Sequence, residues 1–179
     1  MAMKINGYQI REAIKRWMLQ RDTFQSQFKD SLYVFEGDES KNSPQSLMAD
    51  FTKADENVAM LESTQQQFNQ IVKVNIQEKT LSLAMAVKLV GGAGRREKLW
   101  REAAVPKKDK YSYRSDEKTR DKDTEYAKPV ISQSQAVQFS QNAGRFASAL
   151  RNAIAIGNSQ SVNIESLDLS EEEYKTLFE

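Results

Sequence analysis

Seven basic side chains crowd the stretch from residue 95 to residue 110: Arg95, Arg96, Lys98, Arg101, Lys107, Lys108 and Lys110, against Glu97, Glu102 and Asp109. The chemistry such a run offers is attraction for a phosphate backbone, with Trp100, Tyr111 and Tyr113 near enough in sequence to stack on bases. The plainer reading competes with it: basic residues near a helix C-terminus complement the helix dipole, Trp100 falls on the expected core face, and short charge runs are solvated. Just upstream, Gly91-Gly92-Ala93-Gly94 resembles a phosphate-binding turn in exposing backbone N–H groups. It lacks the Lys-Ser/Thr of a P-loop and the strand-turn-helix setting of a dinucleotide site, so it reads instead as a helix break or a place where another backbone comes close. The acidic pair Asp121 and Asp123 is a fragment of a calcium loop without the glycine and closing glutamate, and reads as solvated loop.

Composition removes most other chemistry. The 179 residues contain no histidine and no cysteine, so the usual neutral-pH base, the thiol nucleophile and the commonest zinc ligands are all missing. We therefore expect no catalytic residues, no bound metal and no cofactor. The 26 basic and 25 acidic residues nearly cancel, to +1, so any binding to nucleic acid must be local. The longest mostly apolar stretch, Leu81 to Val90, is far too short to cross a bilayer, and the chain is expected to be soluble, with no membrane partner. Lack of cysteine is compatible with a reducing cytoplasm.

The elements that must carry these residues are helical. Leu47, Phe51, Ala54, Val58, Leu61, Gln65, Phe68 and Val72 recur at three-four spacing between polar residues, the signature of a rod with one narrow buried face. Ser43 as N-cap and Pro44 at the first helical position start it. An earlier helix, from about Gly7 to Leu32, carries Ile10, Ile14, Trp17, Phe24, Phe28 and Leu32, and the short link between the two predicts antiparallel neighbours. Thr80 is expected to cap a third helix that stops before Pro106. Residues 106–130 read as a charged loop or ribbon, with 110–114 pairing to 125–131. A fourth helix starts near Ser132 and carries Ala136, Phe139, Ala143, Phe146, Leu150 and Ala153. The aromatic residues at helical spacing are expected in the core.

After Gly157 the segment turns extended, and Ser170 to Glu173 forms a capping box for a last turn. Val162, Ile164, Leu167, Leu169, Tyr174, Leu177 and Phe178 make residues 161–179 too apolar for a free tail, and we expect an arm that clasps a second subunit. The expected fold is thus mainly α: an antiparallel bundle of about four long helices with a small β-ribbon over residues 1–160, and an extended C-terminal arm over 161–179.

The order of elements resembles a small family of helical bacterial and phage proteins often labelled septicolysin. The resemblance rests on Val34-Phe35-Glu36-Gly37-Asp38 after the first helix, the proline-started second helix, Thr80-Leu81, Tyr113-Arg114-Ser115 and Asn163-Ile164-Glu165-Ser166-Leu167. The glycines at 91–94, the charged residues 116–123 and the extension after Leu167 depart from it. It implies an elongated helical fold that self-associates, in a bacterial cytoplasm or a phage virion, and supplies no catalytic motif. The expectation is a non-enzymatic structural or assembly protein working as a homo-oligomer with other structural proteins. A nucleic-acid-associated protein using Arg95 to Lys110 is the alternative.

Overall fold

The computed structural model describes residues 3–33, 43–105 and 130–179. In chain order these form β1 (Lys4–Asn6), α1 (Gly7–Ser31), α2 (Pro44–Ile71), β2 (Lys73–Ile76), β3 (Lys79–Ser82), α3 (Leu83–Ala103), α4 (Gln133–Ser159), β4 (Ser161–Asn163), a 3-10 turn (Ile164–Leu167) and α5 (Glu171–Phe178). The fold is mainly α with two small antiparallel sheets, β1–β4 and β2–β3. It divides into two compact units, one of Met1–Ala86 with Ala153–Glu179 and one of Val87–Asn152.

In the first unit, α1 starts because Asn6 and Gln9 cap each other reciprocally, each backbone N–H lying 2.9 Å from the other's side-chain oxygen. Helix α2 starts as the sequence predicts, with Ser43 Oγ accepting from the Ser46 N–H and Pro44 needing no partner for a missing donor. The two helices are antiparallel neighbours: Gly7 faces Phe68 at one end, and Arg21 reaches Asp55 at 3.2 Å further along. Leu47, Ala54, Val58, Leu61, Phe68 and Val72 are buried along the expected stripe, while Phe51 and Gln65 are half-buried. Phe68 is fully enclosed, a burial worth about 2–3 kcal/mol. The rest of the expected aromatic core is shallower. Trp17, Phe24, Phe28 and Phe146 are half-buried and Phe139 is exposed, because a pair of helices offers one line of contact rather than an enclosed interior.

Between α2 and α3 the chain makes a hairpin. Strands β2 and β3 pair from Lys73↔Ser82 to Ile76↔Lys79, and Gln77 turns the chain with φ 54°. Val74 and Ile76 point into the core. Thr80 does not cap the third helix; its hydroxyl donates to Asn75 Oδ1 at 2.7 Å. Ser82 Oγ accepts from the Met85 N–H instead.

The expected intermolecular arm is part of this same unit. Strand β4 pairs with β1 from Lys4↔Asn163 to Asn6↔Ser161, and α5 lies against α1. There Arg16 Nη2 and Trp17 Nε1 donate to the Leu177 carbonyl at 2.7 and 3.1 Å, satisfying an acceptor that the helix end leaves open. Ile164, Leu167, Leu169 and Leu177 are buried; Val162, Tyr174 and Phe178 are half-buried. The buried apolar residues of 161–179 thus find cover within their own chain, on β1 and α1. The capping box is as expected: Ser170 Oγ accepts from the Glu173 N–H, and the Glu173 carboxylate accepts from the Ser170 N–H at 2.8 Å.

The second unit holds the later part of α3 and the earlier part of α4. Helix α3 runs without a break through Gly91-Gly92-Ala93-Gly94, and no backbone approaches these glycines. A Cβ at Gly94 would meet nothing within 4 Å. Both expected explanations of the cluster, a break or a close backbone approach, are therefore replaced by an uninterrupted helix in which Ala93 is buried and Gly92 and Gly94 are half-buried. The close approaches occur elsewhere: a Cβ at Gly7 would lie 2.5 Å from Asn158 Oδ1, and one at Gly157 would lie 2.7 Å from Val74 Cγ1. The expected ribbon of 110–114 with 125–131 falls mainly outside the described residues.

Candidate functional site

Helix α4 begins at a second reciprocal cap, in which Ser132 Oγ accepts from the Gln135 N–H at 3.3 Å and Gln135 Oε1 accepts from the Ser132 N–H at 3.1 Å. In the second unit it runs antiparallel to α3. Trp100 packs on Phe139 with ring centroids 4.8 Å apart, Ser140 Oγ donates to the Glu97 carbonyl at 3.4 Å, and the Arg96 guanidinium lies 5.6 Å over the Phe146 ring. The enclosed residues at this contact are small: Ala93, Ala136 and Ala147, with Leu150. Small interior residues bring the helices close and leave larger ones outside. Leu99 is 64% exposed and Phe139 42%.

Four of the seven basic residues singled out in the sequence lie on α3. Arg95, Lys98 and Arg101 are exposed, as is Arg96, whose charge sits over Phe146. Lys107, Lys108 and Lys110 lie outside the described residues, as do Tyr111 and Tyr113. Trp100 is half-buried against Phe139 and is not a free stacking platform. Lys98 approaches Glu102 at 3.8 Å, an exposed i,i+4 pair that contributes little. Sequence reasoning missed Lys88, Arg145 and Arg151, which add to the positive charge of this unit. A signal for them existed: α4 contains no Asp or Glu from Gln133 to Ser159.

The near-zero net charge conceals a separation along the division into units. Residues 87–152 contain 15 Lys and Arg against 8 Asp and Glu, and the remaining residues contain 11 against 17. Among the described residues of the second unit, seven basic residues (Lys88, Arg95, Arg96, Lys98, Arg101, Arg145 and Arg151) stand against Glu97 and Glu102.

In the first unit, Gln9, Glu12, Ala13, Arg16, Tyr174 and Phe178 line a hollow of about 380 Å³ between α1 and α5. Tyr174 and Phe178 stack on each other at 5.1 Å. Its polar groups are engaged in structure: Gln9 in the α1 cap, Glu12 with Lys15 at 2.8 Å, and Arg16 with the last carbonyls of α5. Two perturbed titrations also have structural causes. The Asp55 hydrogen bond raises the Arg21 pKa, and hydrogen bonds from the Ser170 backbone and hydroxyl lower that of Glu173. Among the described residues no three potential metal-ligating side chains come together, and no helix is long and apolar enough to cross a membrane.

No known protein family matches the chain, and no curated protein does. Among solved structures, the chain is similar to the crystal structure of a functionally unknown conserved protein from Corynebacterium diphtheriae. The TM-score is 0.60 at 13% identity, over 90% of this chain and 100% of the other. At that identity the likeness establishes the fold alone.

Proposed function

We propose that this chain is a non-enzymatic structural or assembly protein that works as a homo-oligomer. The observation that carries the reading is the apolar surface of the second unit. Leu99 and Phe139 are large apolar side chains left open to solvent on this unit, 64% and 42% exposed. Covering such side chains contributes about 25 cal/mol for each Å² removed from water, and a second copy of the same patch is the simplest cover, because most soluble oligomers are symmetric assemblies of one chain. The phage virion or bacterial setting rests on the sequence resemblance, and so does the company of other structural proteins.

The test is a pair of surface substitutions, Leu99→Glu and Phe139→Glu, read by light scattering for mass and circular dichroism for helix content. The expected result is a lower assembly state with helix content kept. Retention of the wild-type mass by both folded variants refutes this patch as the interface.

A further inference from the structure

We propose that the outer side of α3 binds the phosphodiester backbone of a nucleic acid, through Lys88, Arg95, Lys98 and Arg101. All four are exposed, and their spacings of seven, three and three residues place them on one slowly winding strip of the helix. From Lys88 to Arg101 the strip is about 20 Å long, at about 1.5 Å per residue. A duplex of that length presents on the order of a dozen phosphate charges, several times the number of cations in the strip. Like charges on one helix face repel, and the acidic residues on α3 are Glu102, 3.8 Å from Lys98, and Glu97, four residues before Arg101. A bound polyanion would relieve that repulsion and release its counterions.

Two features favour an extended polyanion. Arginine supplies two of the four groups, and its planar fork pairs bidentately with phosphate as it does with carboxylate; what favours a nucleic acid is the length of the strip, which an unbroken row of phosphates can follow. Helix α4, on the same unit, adds Arg145 and Arg151 and a run of amide and hydroxyl donors with no carboxylate to repel a backbone. The arginine of Arg95 lies along the helix, its Nη1 and Nη2 being 3.7 and 3.9 Å from where side chains at Gly91 and Gly92 would begin. The glycines leave the helix thin there, so a phosphate can reach Lys88 and Arg95 together. Leu99 stands four residues after Arg95 and shares this face of α3, so the basic strip and the apolar surface of the assembly reading adjoin.

The experiment is fluorescence anisotropy of the full chain with a labelled mixed-sequence DNA duplex over a salt series. Binding is expected to weaken with salt with a log–log slope near −3.6 for four neutralised phosphates. The variant Lys88→Gln, Arg95→Gln, Lys98→Gln, Arg101→Gln should flatten that slope by about 3.6, to near zero, and lower affinity at least tenfold. Lys53→Gln with Lys79→Gln, on the acidic unit, should change neither. Four results overturn the proposal: no binding at low salt, an unchanged affinity in the folded quadruple variant, an equal loss in the Lys53 and Lys79 control, or equal competition by polyglutamate. The last would assign the strip to an acidic protein partner. Mass measured on the same samples keeps the two readings apart: a monomer that binds DNA overturns only the assembly reading, and an oligomer that does not bind overturns only this one.

Discussion

Gly7→Ala tests the packing of the first unit at its tightest point. A Cβ there would lie 2.5 Å from Asn158 Oδ1, 2.8 Å from Phe68 Cε1 and 3.2 Å from Asn158 Cα. Asn158 is 1% exposed and Phe68 is fully enclosed, and the Asn158 amide is held by its bond to the Ile154 carbonyl at 2.8 Å. None of these atoms can swing into solvent. Overpacking of this kind costs about 1–3 kcal/mol, and the rigid surroundings place it at the upper end, about 2–3 kcal/mol. For a chain of this size that is a fall in Tm of roughly 4–12 °C. Urea unfolding followed by circular dichroism gives the free energy, and a thermal melt gives the shift. Adding Asn158→Ala removes the nearest atom, so the double variant should recover about 1 kcal/mol relative to additivity. A Gly7→Ala protein as stable as wild type would refute the close approach, and strict additivity would clear Asn158 as the obstacle.

The glycines of α3 should behave in the opposite way. Gly94→Ala meets open space and should stabilise the helix by about 1 kcal/mol, measured by the same urea titration; destabilisation would mean that α3 is not continuous there. A third expectation concerns acid. The hydrogen bonds from Ser170 lower the Glu173 pKa, so the stability they bring is present above the ordinary carboxylate pKa and is lost as pH falls below it through the folded value. Trp17, bonded to the Leu177 carbonyl, reports the docking of α5, and in a Trp100→Phe background its fluorescence should change over that acid range. Glu173→Gln, which keeps an acceptor for the cap, should flatten the change, and an identical acid transition in this variant would exclude Glu173 as its source.

Local chemistry was legible in the sequence. The Ser43-Pro44 start, the beginning of the fourth helix near Ser132, the Ser170 box and the α2 stripe each need only neighbours within a turn or two, and each stands in the structure where the residues predict. The β2–β3 hairpin was hidden because its strands have four residues each and its turn, Gln77-Glu78, lacks the glycine or asparagine that marks such turns. The apolar content of residues 161–179 correctly demanded burial, but the pairing of Lys4 with Asn163 joins opposite ends of the chain, a relation that periodicity does not express. Glycine clusters drew attention to 91–94, whereas lone Gly7 and Gly157 carry the close contacts, since a contact depends on what lies opposite. For the basic site, the run at 95–101 was visible. The rest of its field was not, because a net charge averaged over the chain cancels two oppositely charged units that only the fold delimits.

The claim of self-assembly is tested most directly by the mass of the wild-type protein in solution. Sedimentation equilibrium over about a hundredfold range of concentration separates a stable oligomer from a weak one, since association follows mass action. The account predicts a species whose mass is a multiple of 20.4 kDa, persisting as the protein is diluted. A single species at the mass of one chain throughout that range would contradict it.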